Sequence, residues 1–203
     1  MRVLVTGCNG FVGVNLVDLL QRAGHEIAGT DLMQSVVLDK IGHTGPRLFG
    51  VDVRSPGGLR RAVHGADAVV HLAALPGVLQ SQEDPLTTFH VNALGALHVL
   101  EACRKTLATD TPTKRVILAS SGAADECRSP YGAANAAVEA MATSYWHSYG
   151  LETVCLRFTN VYGPWSGQKG SAVGSMIQTV QAGEPITVDG DGSQTRDFIH
   201  VTD

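Results

Sequence analysis

Apolar positions along the chain gather into six short runs separated by stretches with helical spacing. The runs are RVLVT (residues 2–6), HEIAGTD (25–31), RLFGVDV (47–53), ADAVVHLAA (66–74), KRVILASS (114–121) and LETVCLRF (151–158). They are close to continuous in apolar residues rather than alternating, the pattern of strands buried on both faces of a parallel sheet. Between them the apolar spacing predicts helices: one over about 11–23, a long one through PLTTFHVNALGALHVLEACRK, and one through SPYGAANAAVE and beyond. Asp84 and Ser129 stand where an N-cap oxygen would accept a first-turn N–H, and Pro130 suits the first helical position. Strands alternating with helices in this way predict an α/β fold built on a doubly wound parallel sheet.

After NVYGP (160–164) the texture changes to a Gly/Ser-rich link, a helix expected at about 171–182, and PITVDGDGSQTRDFIHV. This divides the chain into a nucleotide-binding domain at 1–164 and the start of a second, incomplete lobe at 165–203. The last strand is expected to lack partners, leaving an open edge and apolar surface. The sequence is then either a piece of a longer chain or a naturally short protein.

Composition narrows the function classes. The chain has 203 residues, 44% hydrophobic and 17% charged, which predicts a packed core rather than disorder. A net charge of −4 gives no electrostatic reason to expect nucleic acid or anionic membrane as a partner. No apolar stretch is long enough to span a bilayer, and MRVLVTG enters a strand-like run with no secretory pattern. Cys8, Cys103, Cys127 and Cys155 are scattered with no C-x-x-C, so a reduced, cytoplasmic protein is expected. The eight histidines show no metal-ligand spacing, His90 and His98 included, and no metal is expected.

VTGCNGFVG carries the first chemistry. Gly7, Gly10 and Gly13 lie between the first strand and the first helix, where small residues let backbone amides approach a pyrophosphate at a helix N-terminus. Phe11 and Val12 are the expected donors. Asp31, followed by Leu32, ends the second strand, where a carboxylate meets the adenosine ribose; it would bind both hydroxyls and repel a 2′-phosphate, which favours NAD over NADP. Asp52 and Val53, read as ending the third strand, are expected to border the adenine.

The later motifs resemble the extended short-chain dehydrogenase/reductases, in particular their NAD-dependent epimerase/dehydratase branch. VTGCNGFVG, HLAA (71–74), DPLTTFHVNALGALHVLEA (84–102), ASSGAA (119–124), SPYGA (129–133), LRFTNVYGP (156–164) and GDGSQTRDFIHV (190–201) occur in family order across practically the whole chain. The resemblance implies a Rossmann-like domain holding NAD and a C-terminal part holding a nucleotide-diphosphate sugar. It implies that Leu72, Ala73, Ala74 and Ser120 line the cofactor, that Asn92 supports it, and that Phe158 and Val161 flank the nicotinamide. It implies that Ser121 polarises the sugar oxygen, that Tyr131 takes its proton, and that Asn160 and Arg196 meet the substrate diphosphate and nucleotide. A homodimer through the helices at 84–106 and 130–149 is implied in the same way.

Three departures bear on activity. Asn135 stands where the family has lysine, whose charge helps the tyrosine act as a base. A free phenol titrates near 10, so without such help it is a poor base at neutral pH. Only GAADECRS separates Ser121 from Pro130, a shorter loop than relatives carry. Eight residues extend about 26 Å, enough for Tyr131 to reach the strand end. The third departure is the early end at Asp203. The leading expectation is therefore a UDP-sugar 4-epimerase working through a transient 4-keto sugar with weakened catalysis. A non-catalytic NAD-binding relative or fragment, and a reductase of another small carbonyl compound, remain open.

Overall fold

The computed structural model describes residues 1–32, 36–43, 45, 47–166, 172–188 and 190–203, with backbone alone at 36–37 and 47–49. Six strands form one parallel sheet: β1 (Arg2–Thr6), β2 (Glu26–Asp31), β3 (Arg47–Phe49), β4 (Ala68–His71), β5 (Arg115–Ser121) and β6 (Glu152–Phe158), in the order β3-β2-β1-β4-β5-β6. Helices α1 (Phe11–Arg22), α2 (Val36–Lys40), α3 (Pro56–Val63), α4 (Val78–Glu83), α5 (Pro85–Phe89), α6 (Gly95–Thr106) and α7 (Pro130–Tyr149) cross between strands. This is the doubly wound, Rossmann-like sheet, and its order reverses between β1 and β4, where such folds open a crevice.

The two-residue period of a strand explains the near-continuous apolar runs. Leu4 of β1 points into one core with Val69, Val116 and Leu118 beneath α3, α6 and α7. Its neighbours Val3 and Val5 point into the other, with Ile27, Val70 and Val14 and Val17 of α1. Both faces of the central strands are thereby covered.

The predicted caps are present: Asp84 Oδ1 accepts the Thr87 N–H at 3.0 Å, and Ser129 Oγ accepts the Gly132 N–H at 3.1 Å. Beyond Asp84 the long helix is not uniform. α5 runs into a π-helical turn at His90–Leu94 before α6, and α4 precedes the cap. Two predicted strands are shorter than expected. Gly50 turns the chain at φ 72 just after β3, so Asp52 and Val53 follow that strand by a loop rather than ending it. The run at 66–74 pairs only over 68–71.

The expectation that the last strand lacks partners is corrected. β8 (Phe198–His200) pairs in parallel with β7 (Asn160–Tyr162) as a separate two-stranded sheet. The second layer therefore reaches back to residue 160, inside the stretch assigned to the first domain. Its surface is open as expected, with Phe198 half exposed. The predicted helix near 171–182 is α8 (Ala172–Gln181), its first residue lying outside the described ones.

Candidate dinucleotide and sugar site

The chain leaves β1 through a bend that only glycine fits at two points. Gly7 has φ 70, and its N–H bonds the Thr30 carbonyl at 2.9 Å. A Cβ at Gly7 would stand 2.7 Å from the Ala73 nitrogen, and one at Gly13 would stand 2.2 Å from the Gly7 carbonyl oxygen. Gly10 caps α1 without any side chain. The first N–H groups of that helix, at Phe11, Val12 and Gly13, have no partner within it and lie at the positive end of its dipole.

Asp31 is held against this bend. One carboxylate oxygen accepts the Asn9 N–H at 3.0 Å and the other accepts the Leu32 N–H at 2.8 Å. Each oxygen keeps acceptor capacity beyond these bonds. Leu32 is exposed beside it. Asp52 is paired instead with Arg54 at 2.6 Å, and that hydrogen-bonded guanidinium holds its carboxyl below the usual range. Val53 packs in the core against Gly95. Neither side chain lines the cavity described next.

That cavity, of ≈ 370 Å³, lies over the carboxyl ends of the central strands. Gly7, Gly10, Phe11, Val12 and Gly13 form one wall, with Leu72 and Ala74 after β4. Ser120 and Ser121 at the end of β5, Tyr131 and Asn135 of α7, and Phe158 and Val161 form the other. The structure thus brings most of the expected residues to one crevice. Pro76, Ala119 and Thr159 also line it and were not singled out from sequence.

Ala73 and Asn92 support the crevice from behind. Thr6 Oγ1 accepts the Ala73 N–H at 3.3 Å and is bonded to His71 Nδ1 at 2.7 Å. Asn92, in the π-helical turn, accepts the Leu75 N–H at 2.8 Å and donates to the Leu75 carbonyl at 3.0 Å. Its amide is spent on fixing the loop after β4. Neither Asn160 nor Arg196 lines the cavity: the Asn160 side chain donates to the Asp197 carbonyl at 3.2 Å, and Arg196 Nη1 donates to the Thr195 carbonyl at 2.7 Å. Asn15, unmarked by any sequence motif, ties the two regions together by donating to both the Phe11 and Pro164 carbonyls.

Burial pushes His71 down to about 4, so it is neutral in the fold. A group whose folded value lies below its unfolded one contributes stability above the unfolded value, near 6.5, and loses it as pH falls towards 4. The shift corresponds to about 3 kcal/mol. Urea midpoints of the wild type should fall between pH 7 and 4.5, and His71→Asn should remove most of that slope.

On α7 the Tyr131 hydroxyl-bearing ring and the Asn135 amide sit one turn apart on the crevice side. Asn135 is buried, and its Nδ2 donates to the Tyr131 backbone carbonyl at 2.8 Å. Ser121 Oγ accepts the Ala123 N–H at 3.2 Å, which leaves its own proton to donate. Ser120 Oγ donates to Glu139 Oε1 at 2.5 Å. Glu139 went unnoticed in the sequence, although Tyr131, Asn135 and Glu139 share one helical face at successive spacings of four.

A glycine bend at a helix N-terminus, an acidic residue ending β2, and a crevice at the reversal of strand order define a dinucleotide-binding α/β protein. Residues 3–203 match the NAD dependent epimerase/dehydratase family, and the chain belongs to that family. It is 30% identical, over all of its length, to a probable UDP-glucuronate 4-epimerase of Rhizobium meliloti, and spans 65% of that protein. It is similar in structure to the UDP-glucose 4-epimerase of Thermotoga maritima, solved with UDP-glucose, at TM-score 0.88 and 27% identity, covering 100% of this chain and 70% of that one. The UDP-glucose 4-epimerase of Thermus thermophilus, solved with NAD, superposes at TM-score 0.85 with 34% identity, covering 99% and 71%. Among the described residues no helix is long and apolar enough to cross a membrane.

Proposed function

We propose that the protein is an NAD-dependent UDP-sugar 4-epimerase with slow turnover. The observation that carries this reading is the convergence of the glycine wall with Ser121, Tyr131 and Asn135 on one crevice. The residues present fit the dinucleotide. The unspent N–H groups of Phe11 and Val12 would take the pyrophosphate, Asp31 the adenosine ribose, and the wall at Phe158 and Val161 the nicotinamide. NAD, when bound, supplies a hydride acceptor that returns the hydride later. The chain's own groups do the rest: Ser121 donates to the sugar O4, and Tyr131 removes and restores the proton there. Asn160 and Arg196 would meet the diphosphate, with the permanent charge and several donors of the guanidinium suiting that task. We place 1–164 as the cofactor domain, which lends β7 to the second sheet, and 165–203 as the beginning of the sugar lobe.

The experiment is the purified protein assayed for bound NAD and then given UDP-glucose, UDP-galactose, UDP-glucuronate and UDP-galacturonate. Bound NAD with slow interconversion of one pair is the expected result. NAD with no conversion of any sugar would leave the second reading, a non-catalytic NAD binder, which the neutral Asn135 favours. For the cofactor, Asp31→Ala should weaken NAD about tenfold or more, the scale of hydrogen bonds to a charged group. It should also narrow the preference over NADP, both read by calorimetry; tighter binding of NADP by the wild type would remove Asp31 from this role.

A second copy is proposed to pack against the helices spanning 84–106 and 130–149, where Leu86, Phe89 and Trp146 are exposed apolar groups. Sedimentation velocity of wild type and Leu86→Glu would test it, a monomeric wild type overturning the dimer. None of the four cysteines is in a disulfide, which is compatible with the reducing cytoplasm in which we place the protein.

A further inference from the structure

Trp165 holds φ at 70, a left-handed conformation that a bulky side chain keeps only where its surroundings impose it. It belongs to the turn at 163–166, directly after β7, and that turn is pinned from three sides. Ser166, buried, donates its N–H to the Gly163 carbonyl at 3.2 Å. Gly163, at φ 142, lies so close to the end of β8 that a Cβ there would stand 2.7 Å from Val201 Cγ1 and 3.1 Å from His200 Nε2. Between these two contacts the Pro164 carbonyl accepts from Asn15 Nδ2 of α1 at 2.9 Å. One turn of chain is thus the meeting point of α1, β7 and β8.

Asn15 reaches it because of its place on the helix. It stands one turn after Phe11, whose carbonyl accepts from the same amide nitrogen at 2.8 Å. Both partners are carbonyls, so the NH₂ group rather than the oxygen faces them, and both its hydrogens are committed. The start of α1 presents the Phe11 and Val12 N–H groups to the crevice, and the next turn of the same helix grips the second sheet.

The consequence falls on the sugar side. β7 carries Asn160 at its start and then Val161, which lines the crevice. The Asn160 N–H and side chain both donate to the Asp197 carbonyl, beside Arg196 and just before β8. Where the turn sits therefore sets where these residues stand against the crevice. Resting on the UDP-sugar reading, we infer that Asn15 is a positioning residue for the sugar nucleotide: through the Pro164 carbonyl it registers the β7–β8 sheet, with Asn160 and Arg196, on the helix that holds the dinucleotide. Asn15 does not itself line the crevice. Its loss weakens the sugar nucleotide and spares NAD, although it belongs to the NAD-binding helix.

The test uses Asn15→Leu, close in size but without a donor. NAD is titrated by calorimetry, and UDP is then titrated into the NAD-loaded protein. Asn15→Leu should weaken UDP about fivefold, the worth of one hydrogen bond, and leave NAD within about twofold. A role confined to the stability of α1 would weaken NAD as well, since Phe11 and Val12 open that helix. Asn15→Ala should reproduce both results and keeps the test decisive if leucine crowds the turn. A second readout needs no sugar. The chain has two tryptophans, Trp146 and Trp165, so in a Trp146→Phe background Trp165 alone reports on the turn. Asn15→Leu should shift its emission to the red and raise its quenching by acrylamide as the released turn relaxes. Unchanged emission and quenching, UDP affinity equal to wild type, or equal losses for UDP and NAD overturn the inference. A wild type that binds NAD but no UDP refutes the sugar reading on which it rests, and the Trp165 response then shows separately whether Asn15 holds the turn.

Discussion

Asn135→Lys is expected to raise UDP-sugar turnover roughly a hundredfold. A unit positive charge about 5 Å from a phenolate, at an effective dielectric of about 20, stabilises it by roughly 3 kcal/mol. That is about a hundredfold in the population of the basic form. The helix already delivers position 135 to the crevice, one turn from Tyr131, so the new ammonium needs no rearrangement of the backbone. Glu139, one turn further, is already bidentately paired with Arg157 and competes weakly for it. The substitution also removes the bond from Asn135 to the Tyr131 carbonyl, a cost of about 1 kcal/mol that should appear as a small drop in melting temperature. Activity should therefore rise while stability falls slightly, a combination that tighter packing would not produce. Asn135→Met, similar in length without the charge, should leave turnover low. An initial rate for Asn135→Lys within twofold of a measurable wild-type rate would remove Tyr131 as the base.

Much of the sheet was legible because its signal is local. Six apolar runs gave six parallel strands, and the caps at Asp84 and Ser129 follow from one side-chain oxygen each. Within the crevice, the glycine wall was legible through its spacing, and Ser121, Tyr131 and Asn135 through the family resemblance of the motifs that carry them. What was not legible depends on partners distant in sequence. Nothing in RLFGVDV says that the chain turns at Gly50 and commits Asp52 to Arg54. The π-helical turn that aims Asn92 at Leu75 leaves no composition signal in a run that reads as plain helix. The pairing of β7 with β8 joins residues nearly forty positions apart, and three-residue strands are too short to show a period. Glu139 is the instructive case. Its spacing from Tyr131 was visible, but its pairing came only with Arg157, brought in by β6.

Gly13→Ala is expected to destabilise the protein by about 3 kcal/mol and to abolish NAD binding. The new methyl would stand 2.2 Å from the Gly7 carbonyl oxygen and 2.9 Å from the Cys8 Cα, both backbone atoms of the bend itself. Neither can swing aside as a side-chain tip would, so α1 must move away from β1 or the bend must open, the upper range of overpacking costs. For a domain of this size such a loss lowers the melting temperature by about 6–12 °C. Either movement also displaces the N–H groups of Phe11 and Val12, which must sit close to a pyrophosphate to hold it. Gly10→Ala is the matched control: its Cβ would lie 3.2 Å from the same carbonyl oxygen, a crowding that a few tenths of an ångström relieves. It should change stability by about 1 kcal/mol or less. Calorimetric scans and NAD titrations of the two variants side by side measure both effects. Equal melting temperatures would mean that the bend yields freely, and a Gly13→Ala protein that still binds NAD at wild-type affinity would move the pyrophosphate away from the start of α1.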